Sequence, residues 1–331
     1  MKIKWGIIST AKIGRTRVIP AMQQGDYCEI TAIASRNLAQ AEEAAKELGI
    51  PKAYGSYDEL LADPEIDAIY NPLPNHLHLE WTTKAMEAGK HVLCEKPLAL
   101  TIAEVEKMIE VRDKCGVKAG EAFMVKSHPQ WKKAREMAQS GELGDLRFIH
   151  AVFSYYNDDP QNIRNIKEYG GGGVWDIGCY PVTTTRYVFG EEPIRLVATL
   201  DNDPKMGTDR LASVIMEFSG GKQAIFTVST QASGHQFFSV SGTKARLEFQ
   251  TSFTPDKRLI KLFLDKGDIF RETWETIAFD AGDQYKLQGD AFSKAILDDT
   301  EVPVTFEDAL KNTKVLLAIF KSAETGGWVE V

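Results

Sequence analysis

Two periodic patterns alternate along the first 122 residues of the chain. Short apolar runs rich in β-branched residues predict buried strands, and apolar residues repeating every three or four positions predict the helices between them. Repeated βα units of this length are typical of a doubly wound parallel sheet, the Rossmann architecture. The predicted strands are Ile3–Ser9, Cys28–Ser35, Ile66–Tyr70, His91–Cys94 and Val117–Ala122, and the predicted helices are Ala11–Gln23, Leu38–Leu48, Tyr57–Leu61, a helix capped by Asn75 that reaches Ala88, and a helix capped by Thr101 that reaches Lys114.

From residue 123 the pattern becomes that of an α+β domain. Strand runs joined by glycine turns dominate, and their alternation of apolar and polar residues predicts a large, mostly antiparallel sheet with one buried face. We therefore predict a Rossmann domain over residues 1–122 and an α+β domain over residues 123–331. The predicted elements are a helix at Pro129–Ser140, strands at Arg147–Tyr155, Ile194–Asp201, Leu211–Phe218, Gly221–Ser229, Gln236–Gly242, Ala245–Gln250 and Leu259–Asp265, and helices at Tyr285–Asp298 and Phe306–Thr325.

Composition excludes several classes of protein. The 331 residues carry a net charge of −8, which argues against nucleic acid or an anionic membrane as the main partner. The four cysteines form no C-x-x-C pair, so the sequence predicts neither a metal site nor a disulfide framework. The amino terminus runs straight into a strand without a signal peptide, and no apolar run reaches membrane-spanning length. We expect a soluble cytoplasmic protein.

The stretch Glu95-Lys96-Pro97 follows the predicted strand His91–Cys94. Ligands of open parallel sheets collect at the carboxyl ends of the strands, so Lys96 is expected to point toward a ligand crevice. A solvated lysine before a proline that ends the strand is the alternative. Either isomer of the Lys96–Pro97 bond is compatible with the sequence.

A degenerate nucleotide turn lies between the first strand and the first helix. Ser9-Thr10-Ala11-Lys12-Ile13-Gly14 occupies the position of a G-x-G-x-x-G motif and keeps only Gly14, whose expected task is close packing of helix on strand. Backbone N–H groups at the helix start can still hold a pyrophosphate, and Ser9 and Ala11 are small enough to allow its approach. A packing turn without a nucleotide explains this motif equally well.

The end of the second predicted strand indicates which nucleotide is preferred. A carboxylate is expected there when the ribose 2′-hydroxyl is bare, whereas this chain has Ser35-Arg36. An arginine can pair with a 2′-phosphate and stack on adenine. The sequence therefore favours NADP(H) over NAD(H), and a solvated arginine is the alternative.

A second glycine-rich stretch, from Gly170 to Tyr180, carries the candidate acid/base chemistry. If a helix begins after the four glycines, Asp176 and Tyr180 lie one turn apart on one face, and Pro181 either kinks this helix or lies in its first turn. A carboxylate beside a phenol suits the oxidation of a carbinol. A tyrosine needs a neighbouring cation to lower its pKa, and Lys96 is the candidate. A glycine turn followed by a core tyrosine is the alternative.

Taken together, these residues resemble the glucose–fructose oxidoreductase/inositol dehydrogenase/MocA (Gfo/Idh/MocA) family. Tyr180 stands where inositol dehydrogenases carry histidine, which makes the chain similar to the branch of D-xylose and dihydrodiol dehydrogenases. Ser9 and Ala11 in place of glycines, and Val125-Lys126 in place of Tyr-Arg, depart from the family pattern. The matching segments are residues 5–14, Asn75-His76-Leu77-His78, Ala88-Gly89-Lys90-His91-Val92, Glu95-Lys96-Pro97, Glu121-Ala122-Phe123-Met124, His128-Pro129-Gln130 and residues 170–190.

The resemblance implies an NADP(H)-dependent oxidoreductase, with NAD as a second cofactor, that moves a hydride between nicotinamide and a carbinol or carbonyl carbon of a sugar or polyol. Lys96 would bridge the nicotinamide ribose and the substrate, Tyr180 would exchange the proton, and Asp176 would hold a substrate hydroxyl. The implied cofactor-binding residues are Ser9, Thr10, Ala11, Lys12, Ile13, Ser35, Arg36, Pro72, Leu73, Asn75, His78, Glu95 and Lys96; the implied substrate-binding residues are Lys96, His128, Tyr156, Arg164, Asp176 and Tyr180.

Several of these assignments have structural alternatives. A histidine in the first turn of a helix, such as His76 or His78, is more often a polar surface or cap residue. His128, Tyr156 and Arg164 could equally be structural. The resemblance also implies a homodimer or homotetramer joined through an open face of the second domain's sheet. Two other functions stay open at this point, a trans-dihydrodiol dehydrogenase and a non-catalytic NADP(H) sensor.

Overall fold

The structure is a computed structural model that describes residues 1–255, 259–270, 272–280 and 282–331. These residues form two compact units. The first contains Met1–Ser127 together with Asp283–Leu310, and the second contains His128–Gly282 together with Lys311–Val331. The predicted domains are continuous segments divided at residue 122, whereas each compact unit combines two segments of the chain.

The first unit is built on a six-stranded sheet in the order β3-β2-β1-β4-β5-β6, in which each pair of neighbours is parallel. The predicted Rossmann sheet is therefore confirmed. The three-residue edge strand β3 was not predicted, because it lacks an apolar run. The strands are β1 Ile3–Ile8, β2 Cys28–Ala34, β3 Lys52–Tyr54, β4 Ala68–Asn71, β5 His91–Cys94 and β6 Ala119–Glu121, and the helices are α1 Ile19–Met22, preceded by a π-helical turn at Gly14–Val18, α2 Leu38–Leu48, α3 Tyr57–Ala62, α4 His78–Glu87 and α5 Ile102–Cys115.

Of the two helix caps predicted in this unit, the structure contains one and lacks the other. Thr101 Oγ accepts the Glu104 N–H at 3.2 Å, while a Glu104 carboxylate oxygen accepts the Thr101 N–H at 3.0 Å, so the predicted capping box is confirmed. The prediction that Asn75 caps α4 is wrong. Asn75 is the first residue of a short 3₁₀ helix, Asn75–Leu77, which leads into α4 and follows Pro74 at the cap position.

The parallel sheet is buried on both faces, as expected for a sheet covered by helices. Ile8 and Ile69 contribute to one core layer, and Trp5 and Ile7 to the other. Helix α8, Gln284–Leu297, covers the Trp5 side although it lies far along the chain. The Trp5 indole donates to Ser293 Oγ at 3.0 Å, and its ring centroid lies 5.6 Å from that of Phe292. This packing explains why the segment Asp283–Leu310 belongs to the first unit.

The second unit is built on a nine-stranded sheet in the order β14-β13-β12-β11-β7-β10-β9-β8-β15. Only the β7–β10 pair is parallel among its described pairs, so the mostly antiparallel sheet is confirmed. Strands β14 and β15 were not predicted. The strands are β7 Leu146–Tyr156, β8 Arg195–Asn202, β9 Asp209–Glu217, β10 Gln223–Ser229, β11 Gln231–Gly242, β12 Arg246–Phe249, β13 Ile260–Asp265, β14 Glu275–Phe279 and β15 Val329–Glu330, and the helices are α6 Pro129–Gln139, α7 Cys179–Phe189 and α9 Phe306–Thr325, whose first turns belong to the first unit.

The two faces of the second sheet differ in burial. Along β10, Ala224 and Phe226 are buried, whereas the intervening Ile225 is 40% exposed. Phe148 on β7 and Ile215 on β9 are also exposed. One face thus packs on the core and the other presents apolar side chains to solvent. None of the helices in the described ranges is long and apolar enough to span a membrane.

Candidate active site

Glu95, Lys96 and Pro97 lie directly after β5, at the carboxyl edge of the parallel sheet, and the Lys96–Pro97 peptide bond is cis. Tyr70, from the adjacent strand β4, donates its hydroxyl hydrogen to a Glu95 carboxylate oxygen at 2.6 Å. The Lys96 N–H points to the other oxygen of the same carboxylate at 3.3 Å. Burial first, and then Glu95, raise the pKa of Tyr70, so Tyr70 remains a hydrogen-bond donor at neutral pH. Neighbouring strand ends therefore hold Glu95 in place beside Lys96.

Tyr285 on α8 joins this group, and sequence analysis missed it. Burial raises the pKa of Tyr285 to about 12; the Glu95 carboxylate acts in the same direction, and the positive charges of Lys96 and Arg17 oppose it. These electrostatic interactions place Tyr285 near both Glu95 and Lys96. No local signal could have found it, because it lies almost two hundred residues further along the chain.

His78 positions the loop that carries Lys96. Its ring is fully buried, with Nε2 2.7 Å from the Leu73 carbonyl oxygen and Nδ1 3.0 Å from the Pro97 carbonyl oxygen. The ring thus links the loop after β4 to the loop after β5. Burial lowers the pKa of His78, and the carbonyl contacts act in the opposite direction. Its complete burial supports a positioning role and gives no support to the predicted direct contact with a cofactor.

The degenerate nucleotide turn opens onto a cavity of about 440 Å³. Ser9, at the place of the first motif glycine, has a φ of +71°, a left-handed conformation that a glycine would adopt without strain. Its hydroxyl oxygen accepts the Ala11 N–H at 3.3 Å. Six of the predicted cofactor residues line the cavity, together with three polar or aromatic residues that were not predicted. The lining residues are Ser9, Thr10, Ala11, Ser35, Arg36, Asn37, Gln40, Tyr57 and Leu73.

The donors and charges of this cavity fit a phosphorylated nucleotide. Arg36 is exposed and lies beside the Tyr57 hydroxyl, where its charge and hydrogen bond oppose the rise in the Tyr57 pKa that burial causes. Among the described lining residues there is no aspartate or glutamate that could bind a free ribose 2′-hydroxyl. Arg36 is the cationic residue of this lining, so the cavity suits a ribose that carries a 2′-phosphate.

The predicted packing role of Gly14 is wrong. A Cβ atom added to Gly14 would have its nearest neighbours, Ile19, Pro72 and Tyr70, at an ordinary contact distance of 3.8 Å. The surrounding side chains therefore leave room for a Cβ atom at this position. Of the other predicted cofactor residues, Lys12 is exposed, Ile13 is partly buried against the core and Pro72 is buried.

In the second unit, Asp176 and Tyr180 lie on one helical segment, as predicted. A π-helical turn, Val174–Gly178, passes directly into α7, and Pro181 is the third residue of α7. Asp176 accepts two hydrogen bonds on one carboxylate oxygen, from the Tyr155 hydroxyl at 2.6 Å and from Arg164 Nε at 3.1 Å. π-Helical turns such as Val174–Gly178 occur frequently at functional sites.

Arg164 introduces a positive charge next to this carboxylate and phenol. The Asp176 carboxylate raises the pKa of Arg164, burial opposes that rise, and Tyr155 and Tyr180 add smaller contributions to it. Tyr180 is 5% exposed, with its ring centroid 5.4 Å from that of Phe153. We call Tyr155, Arg164, Asp176 and Tyr180 the carboxylate–phenol cluster.

At the end of β7 the structure brings Tyr155, rather than the predicted Tyr156, to Asp176. Tyr156 is 65% exposed and donates to Asp158, whereas Tyr155 contacts Asp176. Successive strand residues point to opposite faces of a sheet, so only one of the two can belong to the cluster. His128 is also not in the cluster. It is fully buried as the cap of α6, accepts the Gln130 N–H at 3.3 Å, and burial lowers its pKa to about 4.

The four cysteines are free thiols. Among the residues that the structure describes, no group of three or more histidine, cysteine, aspartate or glutamate side chains could hold a metal ion. Two groups of side chains are candidates for the chemistry, one in each unit: Tyr70, Glu95, Lys96 and Tyr285 in the first, and the carboxylate–phenol cluster in the second.

Known proteins match this chain over nearly its whole length. Residues 3–123 match the family described as "Oxidoreductase family, NAD-binding Rossmann fold", and residues 131–248 match "GFO/IDH/MocA C-terminal domain". An uncharacterized oxidoreductase of Rhizobium meliloti is 45% identical over 99% of both chains. D-xylose 1-dehydrogenase (NADP(+)) 2 of Haloferax volcanii is 38% identical over 99% of both. Trans-1,2-dihydrobenzene-1,2-diol dehydrogenase of Xenopus laevis is 35% identical over 75% of both.

Among solved structures, a 3-ketoreductase from Actinomadura kijaniata in complex with NADP and TDP-benzene superposes with a TM-score of 0.89. Its sequence is 28% identical to this chain, and the match covers 97% of this chain and 98% of the reductase. The sequence matches and the structural match therefore both indicate an NAD(P)-dependent oxidoreductase.

Proposed function

We propose that this chain, which belongs to the Gfo/Idh/MocA family of NAD(P)-dependent oxidoreductases, uses NADP(H) to oxidise a carbinol, or reduce the corresponding carbonyl, of a sugar-like polyol. The carboxylate–phenol cluster is the observation that carries the proposal. Asp176 is held by Tyr155 and Arg164 one helical turn from Tyr180, an arrangement that suits proton exchange with a substrate hydroxyl. The similarity to an NADP-dependent D-xylose dehydrogenase supports a sugar as the substrate.

The roles of the residues follow from their chemistry. When bound, the nicotinamide accepts or supplies the hydride. Tyr180 takes the hydroxyl proton during oxidation and returns it during reduction, and Asp176 accepts a hydrogen bond that orients the substrate. A phenol needs a nearby cation to act as a base at neutral pH. Arg164 supplies positive charge within the cluster, and we propose Lys96 as the second cation.

Cofactor selection is proposed to depend on Arg36. Replacing Arg36 by alanine is expected to raise KM for NADPH by about 10- to 100-fold, because a charge-assisted hydrogen bond to the 2′-phosphate is lost. KM for NADH should hardly change. Steady-state kinetics with both cofactors measures the effect. Arg147→Ala is the control, since Arg147 is exposed and its nearest carboxylate is that of Asp145 at 3.5 Å. An equal rise in KM for both cofactors would show that Arg36 does not bind the 2′-phosphate.

A panel of pentoses, hexoses and dihydrodiols, assayed with NADP and NAD by absorbance of the nicotinamide, tests the proposed reaction. Oxidation of one or more sugars with NADP is the expected result. A trans-dihydrodiol dehydrogenase is the second candidate, because a relative carries that name and because the aromatic rings of Phe153 and Phe253 lie against Tyr180. Tight binding of NADPH without oxidation of any compound would instead indicate a sensor.

We also propose that the chain forms a homodimer or homotetramer through the exposed face of its second sheet. The support is the set of apolar side chains on that face, including Phe148, Ile215 and Ile225. A cytoplasmic location is part of the proposal, supported by the four free thiols. Sedimentation velocity of the wild-type protein measures the oligomeric state.

A further inference from the structure

A buried carboxylate lies against the start of the helical segment that carries Asp176 and Tyr180. Asp209, the first residue of β9, is 4% exposed, and its Oδ2 accepts the Val174 N–H at 2.6 Å. The backbone N–H groups of Gly173 and of Asp209 itself also act to lower the pKa of this carboxyl, as nearby donors do. The backbone at the start of the helical segment thus lies against one acidic side chain.

The glycine stretch is what allows this approach. Gly172 has a φ of +117°, in the left-handed region that favours glycine, and a Cβ atom there would overlap Asp209 Oδ1. A Cβ on Gly173 would lie 3.3 Å from Oδ2. The polypeptide before the helix is therefore closed around the Asp209 carboxylate, which gives a reason for at least two of the four glycines.

An ionised Asp209 carboxylate does not stabilise the folded protein. Burial raises the pKa of Asp209 from 3.8 to about 7, while the backbone N–H groups oppose the rise. Since folding raises this pKa, the folded protein binds the proton more tightly than the unfolded chain. The contribution of Asp209 to the free energy of unfolding is therefore largest below pH 3.8 and falls as the pH rises to about 7.

We propose that Asp209 is a positioning residue of the active site, whose carboxylate fixes the glycine segment and thereby the directions in which Asp176 and Tyr180 point. An ionised carboxylate only accepts hydrogen bonds, so both of its oxygens can face backbone donors. An asparagine amide has one acceptor oxygen and can turn its NH2 donor toward the backbone N–H groups. Asp209→Asn should therefore loosen the start of the helix.

Other charged groups near Asp209 are already paired. On the helical segment Asp176 is paired with Arg164, and on β9 Arg210 pairs with Asp201 at 2.7 Å. No ion pair among the described residues includes Asp209, and its pKa is shifted by burial and backbone hydrogen bonds alone. We therefore expect this segment to respond to pH near neutrality through Asp209 itself.

Hydrogen exchange of the wild-type protein tests this without any assay of turnover. After correction for intrinsic exchange rates, opening of the peptide covering residues 170–180 should increase about tenfold for each pH unit as the pH rises from 3.8 to about 7, because the closed segment binds the Asp209 proton more tightly than the open one. Asp209→Asn should remove this pH dependence. Asp203→Asn is the matched control, because Asp203 is also a buried carboxylate that accepts backbone N–H groups, at 2.8 and 3.0 Å, but in the turn between β8 and β9.

Turnover gives a second readout, and only this part depends on the proposed function. Asp209→Asn should lower kcat about 10- to 100-fold while KM for NADPH stays the same. Tyr180→Phe should lower kcat by about 10²- to 10⁴-fold and leave the exchange pattern intact, so the role of Asp209 and the role of Tyr180 can be disproved separately. Exchange of residues 170–180 that does not vary between pH 6 and 8 would overturn the role of Asp209, even if the Asp209→Asn protein does not fold.

Discussion

Tyr180→Phe is expected to lower kcat by about 10²- to 10⁴-fold, the range for loss of a positioned proton donor or acceptor. Only the hydroxyl is removed, and the ring keeps its contacts with Phe153 and Phe253. NADPH should therefore bind with an unchanged Kd. Stopped-flow or steady-state absorbance measures kcat, and fluorescence titration measures the Kd.

Tyr156→Phe is the control for this substitution. Tyr156 adjoins Tyr155 in the sequence but is 65% exposed and donates only to Asp158 among its described contacts. Its loss should leave kcat within twofold of wild type, about the effect of an exposed hydrogen bond. If Tyr180→Phe behaved like Tyr156→Phe, Tyr180 would not be the acid/base.

Lys96→Met is expected to lower kcat by about 10²- to 10³-fold, the loss typical when one electrostatic contact to the reacting groups is removed. Methionine keeps the length of the side chain and removes its charge. The protein should fold normally, because the loop is held by His78 and by the hydrogen bond from Tyr70 to Glu95. The dependence of kcat on pH should also shift toward higher pH, since a cation that favours the phenolate is gone.

Lys84→Met is the matched control variant for this experiment. Lys84 is partly exposed on α4 and pairs with Glu80 one turn away, a contact of small energetic consequence. Wild-type kcat in Lys84→Met and a large loss in Lys96→Met are the expected pair of results. Equal activity of the two variants would leave the lysine of Glu95-Lys96-Pro97 without a role in the reaction.

Local signals predicted much of the fold correctly. The capping box of Thr101 and Glu104 needs only residues three positions apart, and the bounds of α2 and α9 agree with the apolar periodicity. The spacing of Asp176 and Tyr180 also places them on one helical segment, as expected from residues four apart.

Features that depend on a partner from elsewhere in the chain were not predicted. Tyr285 reaches the Glu95 region from α8, and Asp209 reaches the glycine segment from β9. Neither residue has a local pattern that marks it. Sequence spacing predicts contacts only between residues that are close along the chain. Contacts between distant segments are determined by the tertiary fold.

The choice between neighbouring residues also required the structure. Alternation along β7 is clear, yet it does not tell which of Tyr155 and Tyr156 faces the helix. His78 was assigned to the cofactor from its place in a motif, whereas its burial and its carbonyl contacts give it a structural task. Gly14 was assigned to packing, although the surrounding side chains leave space for a Cβ.

A double-mutant cycle of Lys96→Met and Tyr180→Phe, measured as kcat/KM with NADP and the best sugar of the panel, tests the central claim most directly. If the ammonium and the phenol serve the same proton-transfer step, removing the first adds little once the second is gone. The account predicts that the double variant is about as slow as Tyr180→Phe alone. A double variant slowed by the product of the two single effects would contradict it, because the two side chains would then act independently.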